Sequence, residues 1–151
     1  MAGEWSSSGK VFTMVVIDGK GMIFGRTASR VAKTILSGEE VQLINAEQMI
    51  LSGNPKSITA KLRERRAAKH KGTPEHSPKW SKVPHMLVKR MIRGMLPWDR
   101  ARGREAYHKL LVYTGNPKSL KPVASADAMP LKKGAKYITI RDLCRMIGYS
   151  G

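Results

Sequence analysis

The apolar positions of this chain fall into short blocks, and the spacing within each block predicts an element. Residues 12–18 (FTMVVID) form a continuous apolar run ending at a turn, the pattern of a buried strand. Gly19, Gly21 and Gly25 then make a glycine-rich turn. Ala28, Val31, Ala32, Ile35 and Leu36 recur at i, i+3, i+4, i+7 and i+8, one face of a helix, with Arg26, Arg30 and Lys33 mostly off that stripe. Gly38 is placed to end the helix. Residues 41–45 (VQLIN) read as a second strand. Strand, helix and strand in this length make a βαβ unit, with parallel strands and a right-handed crossover.

Beyond Asn45 the apolar pattern thins. Residues 52–55 (SGNP) are a loop in which Asn54 can cap a helix and Pro55 suits its first position. The helix expected over 56–69 has little core face beyond Ile58, Leu62 and some alanines. Lys61, Arg63, Arg65, Arg66 and Lys69 surround its second half. Burying that end in protein would strand charge, so it is expected to project from the body into a partner. Residues 70–84 hold three prolines, one glycine and no apolar period, and read as an extended cationic loop.

From Pro84 a further helix is expected, with Leu87, Val88, Met91, Ile92 and Met95 as a buried stripe and Lys89, Arg90 and Arg93 outside it. Gly94 weakens its last turn, and Pro97 disfavours helix at Leu96. Residues 98–104 (WDRARGR) read as a basic turn, 105–109 as a helical turn, and 110–114 (LLVYT) as a third strand stopped by Gly115-Asn116-Pro117. Residues 118–136 are an extended surface connection rich in Lys, Pro and Ala. A short helix closes the chain over 139–147. Thr139 and Asp142 stand at capping-box spacing, and Gly148 is placed to close it. The expected fold class is α/β: a mostly parallel central sheet with helices on both faces, Rossmann-like in topology, and a basic helix and loop projecting from the body.

Charge says what such a scaffold is for. A length of 151 residues fits one domain able to bury its own core. Residues 1–10 are read as a flexible arm, and 11–151 as a single domain with a basic extension at 56–84 and a tail at 118–151. The chain carries 28 Lys and Arg against 11 acids, net +17. Sixteen of the basic residues lie between Pro55 and Lys109 against Glu64, Glu75, Asp99 and Glu105, a local surplus of twelve. Like charges repel in the compact state, so this crowding adds nothing to stability and points to a polyanion. Nucleic acid is the first candidate, because phosphate neutralisation releases counterions. A merely solvated basic face is the bland alternative. It fits poorly, since the cations are not alternated with acids. Two Phe, three Trp and four Tyr are few for reading single-stranded bases by stacking, so a structured nucleic acid is expected.

One cysteine, Cys144, allows neither an internal disulfide nor a Cys-based zinc site. It reads as a small core residue, and a reducing, intracellular location fits. Residues 1–10 are polar, the apolar run 14–17 is too short for a secretory signal, and nothing reaches membrane-spanning length.

Several motifs invite stronger claims. The turn Gly19-Lys20-Gly21-Met22-Ile23-Phe24-Gly25 resembles a nucleotide loop, but a dinucleotide fingerprint needs glycine where Phe24 stands. A phosphate loop fails as well, because Phe24 or Arg26 occupies its second glycine position. The turn is read as a tight strand-to-helix connection, with anion binding at the helix N-terminus beside Arg26 left open. A nucleotide-binding enzyme on the βαβ unit is the alternative function. His70, His76, His85 and His108 never pair at i+3 or i+4 with another His or Cys, so no metal or cofactor is expected. His70 and His76 either donate to phosphate or sugar or face water. Trp80 either packs on a ribose or base or closes its loop onto the protein. A membrane-surface protein is a third reading, but its only candidate anchor, the stripe from Leu87 to Met95, is core that a small domain needs.

The segment 93–115 runs Arg93-Gly-Met-Leu-Pro97, five residues, Gly103-Arg104, five more, then Leu110-Leu-Val-Tyr-Thr-Gly115. With Val16-Ile-Asp-Gly19, Gly25-Arg26, Ile44-Asn-Ala-Glu47 and Ser52-Gly-Asn54, this order and spacing resembles the L13 family of large-subunit ribosomal proteins. The resemblance runs from about residue 15 to 117, and more weakly through 137–149. The loop 70–84 and the short C-terminal helix are closer to archaeal and eukaryotic members, and the length favours an archaeal source. The resemblance implies no catalysis and no cofactor. It implies a cytoplasmic role in the large subunit, binding and stabilising its rRNA among neighbouring ribosomal proteins, and supporting assembly. The candidate rRNA-binding residues are Arg26, Lys61, Arg63, Arg65, Arg66, Lys69, His70, Lys71, Lys79, Trp80, Lys82, Lys89, Arg90, Arg93, Arg100, Arg102 and Arg104. The arginines are favoured for fixed contacts, because one guanidinium can fork two phosphate oxygens.

Overall fold

The computed structural model describes residues 14–117, 119–122 and 134–150. The arm 1–10, the start of the first expected strand and most of the connection 118–136 lie outside the described residues. The βαβ unit is present. Strand β1 (Met14–Asp18), helix α1 (Phe24–Ser37) and strand β2 (Glu40–Ile44) follow in order, and β1 pairs parallel with β2 along its whole length, from Met14 opposite Glu40 to Asp18 opposite Ile44. The third strand, β4 (Leu110–Val112), pairs parallel with β2, so the central sheet runs β1-β2-β4. The α/β class and the parallel sheet are as the patterning predicts.

Alternation along the strands sends Ile17, Val41, Leu43, Leu110 and Val112 into one core. The α1 residues Phe24, Ala28, Val31, Ala32 and Ile35 meet them there, as the stripe requires. Gly38 ends α1 in the left-handed region (φ 109°) and donates its N–H to the Ile35 carbonyl. Helix α3 (Pro84–Arg93) adds Leu87, Val88 and Ile92. Met95 departs from expectation: α3 stops at Arg93, Met95 is 41% exposed, and Leu96 is buried instead.

Two strands were not visible in the sequence. Strand β3 (Ile50–Ser52) pairs antiparallel with β5 (Tyr137–Thr139), Ile50 opposite Thr139. Each has three residues, too few to show a period, and the partner is far away along the chain. Their pairing brings the C-terminal helix α5 (Ile140–Met146) onto the body, where Ile140, Leu143 and Cys144 are buried. Thr139 caps α5 as its spacing predicts, accepting from the Asp142 N–H at 3.1 Å.

Helix α4 (Ala101–His108) starts earlier than expected and takes in much of what read as a basic turn. Gly103 is the reason the sequence misled. It looks like a turn residue, yet it sits inside the helix because a Cβ there would lie 2.1 Å from the Pro97 carbonyl oxygen. Its glycine serves close approach rather than backbone freedom.

Candidate nucleic-acid interface

The basic half of the chain is built around helix α2 (Pro55–Ala67). Asn54 caps it, its side chain accepting from the Lys56 N–H at 3.1 Å, and Pro55 occupies the first turn. Only Thr59 and Leu62 are buried. The last turn is exposed but tied back to α5. Arg63 Nη2 donates to the Met146 carbonyl at 2.7 Å, and Arg66 Nη1 reaches the Ile147 carbonyl at 3.4 Å. Lys82, from the loop, adds a bond from Nζ to the Gly148 carbonyl at 3.3 Å. Three cations therefore meet the three consecutive carbonyls at the end of α5, where the helix dipole and the unpaired oxygens favour positive charge.

The loop 70–84 holds a short 3-10 turn, Pro74–His76, and closes onto the protein through Trp80. Trp80 packs partly buried against the core, and its carbonyl accepts from Arg66 Nε at 3.2 Å. Two guanidinium carbons lie over its ring, Arg65 at 5.4 Å and Arg90 at 5.5 Å from the centroid. Of the two readings left open for Trp80, the structure takes the one in which the loop folds back.

A second cluster joins α3 to α4. Arg93 stands 3.7 Å over the Trp98 ring, and Lys89 4.9 Å over Tyr107. The two rings meet edge-on, centroids 5.3 Å apart at 88°. Burial lowers the Lys89 pKa from its ordinary value, so this cation is partly withdrawn from water. The three basic residues of α3 are thus each parked on an aromatic ring. Trp98 and Tyr107 were missed as parts of the site, because only the tertiary fold brings them under α3.

The remaining candidates differ in their surroundings. Lys61, Lys69, Lys71, Lys79, Arg100 and Arg104 are exposed. His70 is exposed too, and its backbone N–H donates to Ser77 Oγ at 3.0 Å. Arg102 instead donates to the Leu36 carbonyl at 2.9 Å, and Lys109 to Gly38 at 3.0 Å, so both brace the end of α1. Arg26 lies exposed in the first turn of α1, on a different helix from the two ring clusters. Among the described residues, no three His, Cys, Asp or Glu side chains come together as metal ligands. None of the described helices is long and apolar enough to cross a membrane.

The model of the family described as "Ribosomal protein L13" matches residues 12–119. The chain belongs to the L13 family. It is 44% identical to the large ribosomal subunit protein uL13 of Methanosarcina barkeri, the match covering 89% of this chain and 98% of that one. It is 39% identical to uL13 of Methanocaldococcus jannaschii over the same shares. Against uL13 of Aeropyrum pernix the identity is 38%, covering 91% of each chain. These relatives make it an L13 chain of archaeal type. The family is one of ribosomal structural proteins rather than enzymes, which leaves the nucleotide-binding enzyme without support.

The L13 motifs turn out to be joints of the fold. Gly19 sits where a Cβ would come 2.8 Å from Met49 Cγ, so the glycine turn is a packing device. Asn45 adopts φ 52° and donates from Nδ2 to Asp18 Oδ1 at 2.8 Å. Glu47, nearly buried, accepts from the Gly115 N–H at 3.0 Å and holds the turn after β4.

Proposed function

We propose that this protein is a structural component of the large ribosomal subunit, located in the cytoplasm, that binds and stabilises large-subunit rRNA and supports assembly. The observation that carries the reading is the basic half itself. Among the described residues, the neighbours of its arginines on α2 and α3 are backbone carbonyls and aromatic rings, which do not cancel their charge. A polyanion is what cancels it. Membership of the L13 family and the ribosomal relatives support the same reading.

The proposed contacts are Lys61, Arg63, Arg65, Arg66, Lys69, His70 and Lys71 on α2 and the start of the loop, then Lys79 and Lys82, with Trp80 acting through the arginines over its ring. Lys89, Arg90, Arg93, Arg100, Arg102 and Arg104 form a second patch, with Arg26 on α1. Neighbouring ribosomal proteins are the other partners. Filter binding to large-subunit rRNA over a salt series tests the reading. With about six to ten phosphates engaged, affinity falls roughly 10³–10⁵-fold between 50 and 200 mM salt. In cell extract the protein co-sediments with large subunits after a modest salt wash. A flat salt response, or sedimentation apart from subunits, would overturn the proposal.

A further inference from the structure

All three aromatic rings between Pro55 and Lys109 (Trp80, Trp98 and Tyr107) carry a Lys or Arg over them. The usual use of aromatics in RNA binding is a bare ring face on which an unpaired base stacks. Here each ring already has a cation close to its centroid, two of them at Trp80, and Trp98 and Tyr107 engage each other edge-on as well. We infer that these rings are positioning residues, which hold Arg65, Arg90, Lys89 and Arg93 in place for the backbone phosphates of double-stranded RNA, and that the basic half has no base-stacking platform. The inference rests on the ribosomal reading above and deepens it by naming the kind of RNA surface recognised.

The physical case begins with entropy. A free Arg or Lys side chain loses rotamer freedom when it grips a phosphate, and that loss opposes binding. A guanidinium already resting on a ring has lost part of that freedom in the folded protein. Its N–H donors not otherwise bonded stay available for phosphate oxygens, since a ring attracts the cation through its π-face without taking up a hydrogen-bond donor. At Trp80 the placement is reinforced. Arg66 bonds the Trp80 carbonyl, and Arg63, Arg66 and Lys82 fasten α2 and the loop to the end of α5. Arg65 and Arg90 both lie within 5.5 Å of one centroid, so two cations from α2 and α3 are held at a fixed spacing. A duplex presents phosphates at regular spacing and hides its base faces, so it matches a rigid set of cations without rings. An unpaired loop matches the converse.

The test uses the full-length protein with three probes: large-subunit rRNA, a blunt RNA duplex of mixed sequence, and one strand of that duplex alone. Arg65→Gln, at an exposed side chain, with Arg90→Gln, at a half-buried one, should lower the slope of log affinity against log salt by about 1.8 on the duplex, at about 0.9 per phosphate. Trp80→Leu should weaken duplex binding several-fold while Trp80→Phe, which keeps a ring, restores most of it. Loss of binding by Trp80→Leu on the single strand alone, with the duplex unaffected, would make Trp80 a base platform and overturn the inference. An unchanged salt slope in the double arginine variant would overturn it equally, and that variant decides the matter if Trp80→Leu does not fold. Wild-type protein that binds none of the three probes would overturn the ribosomal reading itself; wild-type binding with unaltered variants would sink only the inference.

Discussion

Helices α1 and α2 are nearly the same length, 14 and 13 residues, and are held in opposite ways. Helix α1 buries Phe24, Thr27, Ala28, Val31, Ala32 and Ile35, and the core fixes it. Helix α2 buries only Thr59 and Leu62. Its position depends on a side-chain cap at Asn54 and on two arginines that reach the carbonyls of α5. Apolar burial is strong and is not screened by salt as charge pairing is, whereas exposed hydrogen bonds each contribute only about 0.5–1.5 kcal/mol. A helix held the second way keeps its cationic surface open to a partner, at the cost of local stability. The contrast teaches that a basic element can be fastened by its own cations, the same ones proposed above as RNA contacts.

The largest way to break the contrast is at α1. Ile35→Ala, at a site 1% exposed, should cost about 2–5 kcal/mol, seen as a loss of cooperative urea unfolding or a large fall in Tm. Gly103→Ala comes next. Its Cβ meets a backbone oxygen rather than a flexible side-chain end, so α4 or the Pro97 turn must shift. The expected cost is about 1–3 kcal/mol in chemical denaturation. On α2, Arg63→Ala with Arg66→Ala should leave global Tm within a few degrees. Hydrogen exchange over 140–147 should quicken as α5 loses its partners; unchanged exchange there would show that α2 is held by its two buried residues after all. Asn54→Ala should be milder, about 0.5–2 kcal/mol confined to fraying of the first turn of α2 by exchange.

Within the neutral range the smallest effect is a pH response in the core that α5 completes, since it develops only in alkali. Burial pushes the Cys144 thiol from 9.0 up to about 11. The folded state therefore favours the protonated thiol. That contribution is whole below the unfolded pKa and is lost as pH climbs from 9.0 toward about 11. A thiol reagent at pH 8 should leave native protein unlabelled and label it on unfolding. Rapid labelling of the native protein would show that α5 opens freely.

The motifs that identified the family were legible as a pattern, but their work was not. Asn45, Glu47 and Gly103 act on Asp18, Gly115 and Pro97. The Asn45 and Glu47 bonds span 27 and 68 residues of chain. Trp80 shows the same limit at the interface. Its place in a cationic loop was plain from sequence, while the choice between facing RNA and folding back hung on Arg65 and Arg90 from two other helices.

From sequence alone came the βαβ unit, the helix carrying Leu87, Val88 and Ile92, the caps at Asn54 and Thr139, and the crowding of positive charge between Pro55 and Lys109. Each depends on spacing within a few residues, which sets which face is apolar and which end is capped whatever surrounds it. Only the tertiary structure decided the β3–β5 pairing, the helical place of Gly103, and which cations rest on rings or carbonyls. A guanidinium will bond any nearby acceptor, and its residue type does not say which one the fold brings within reach.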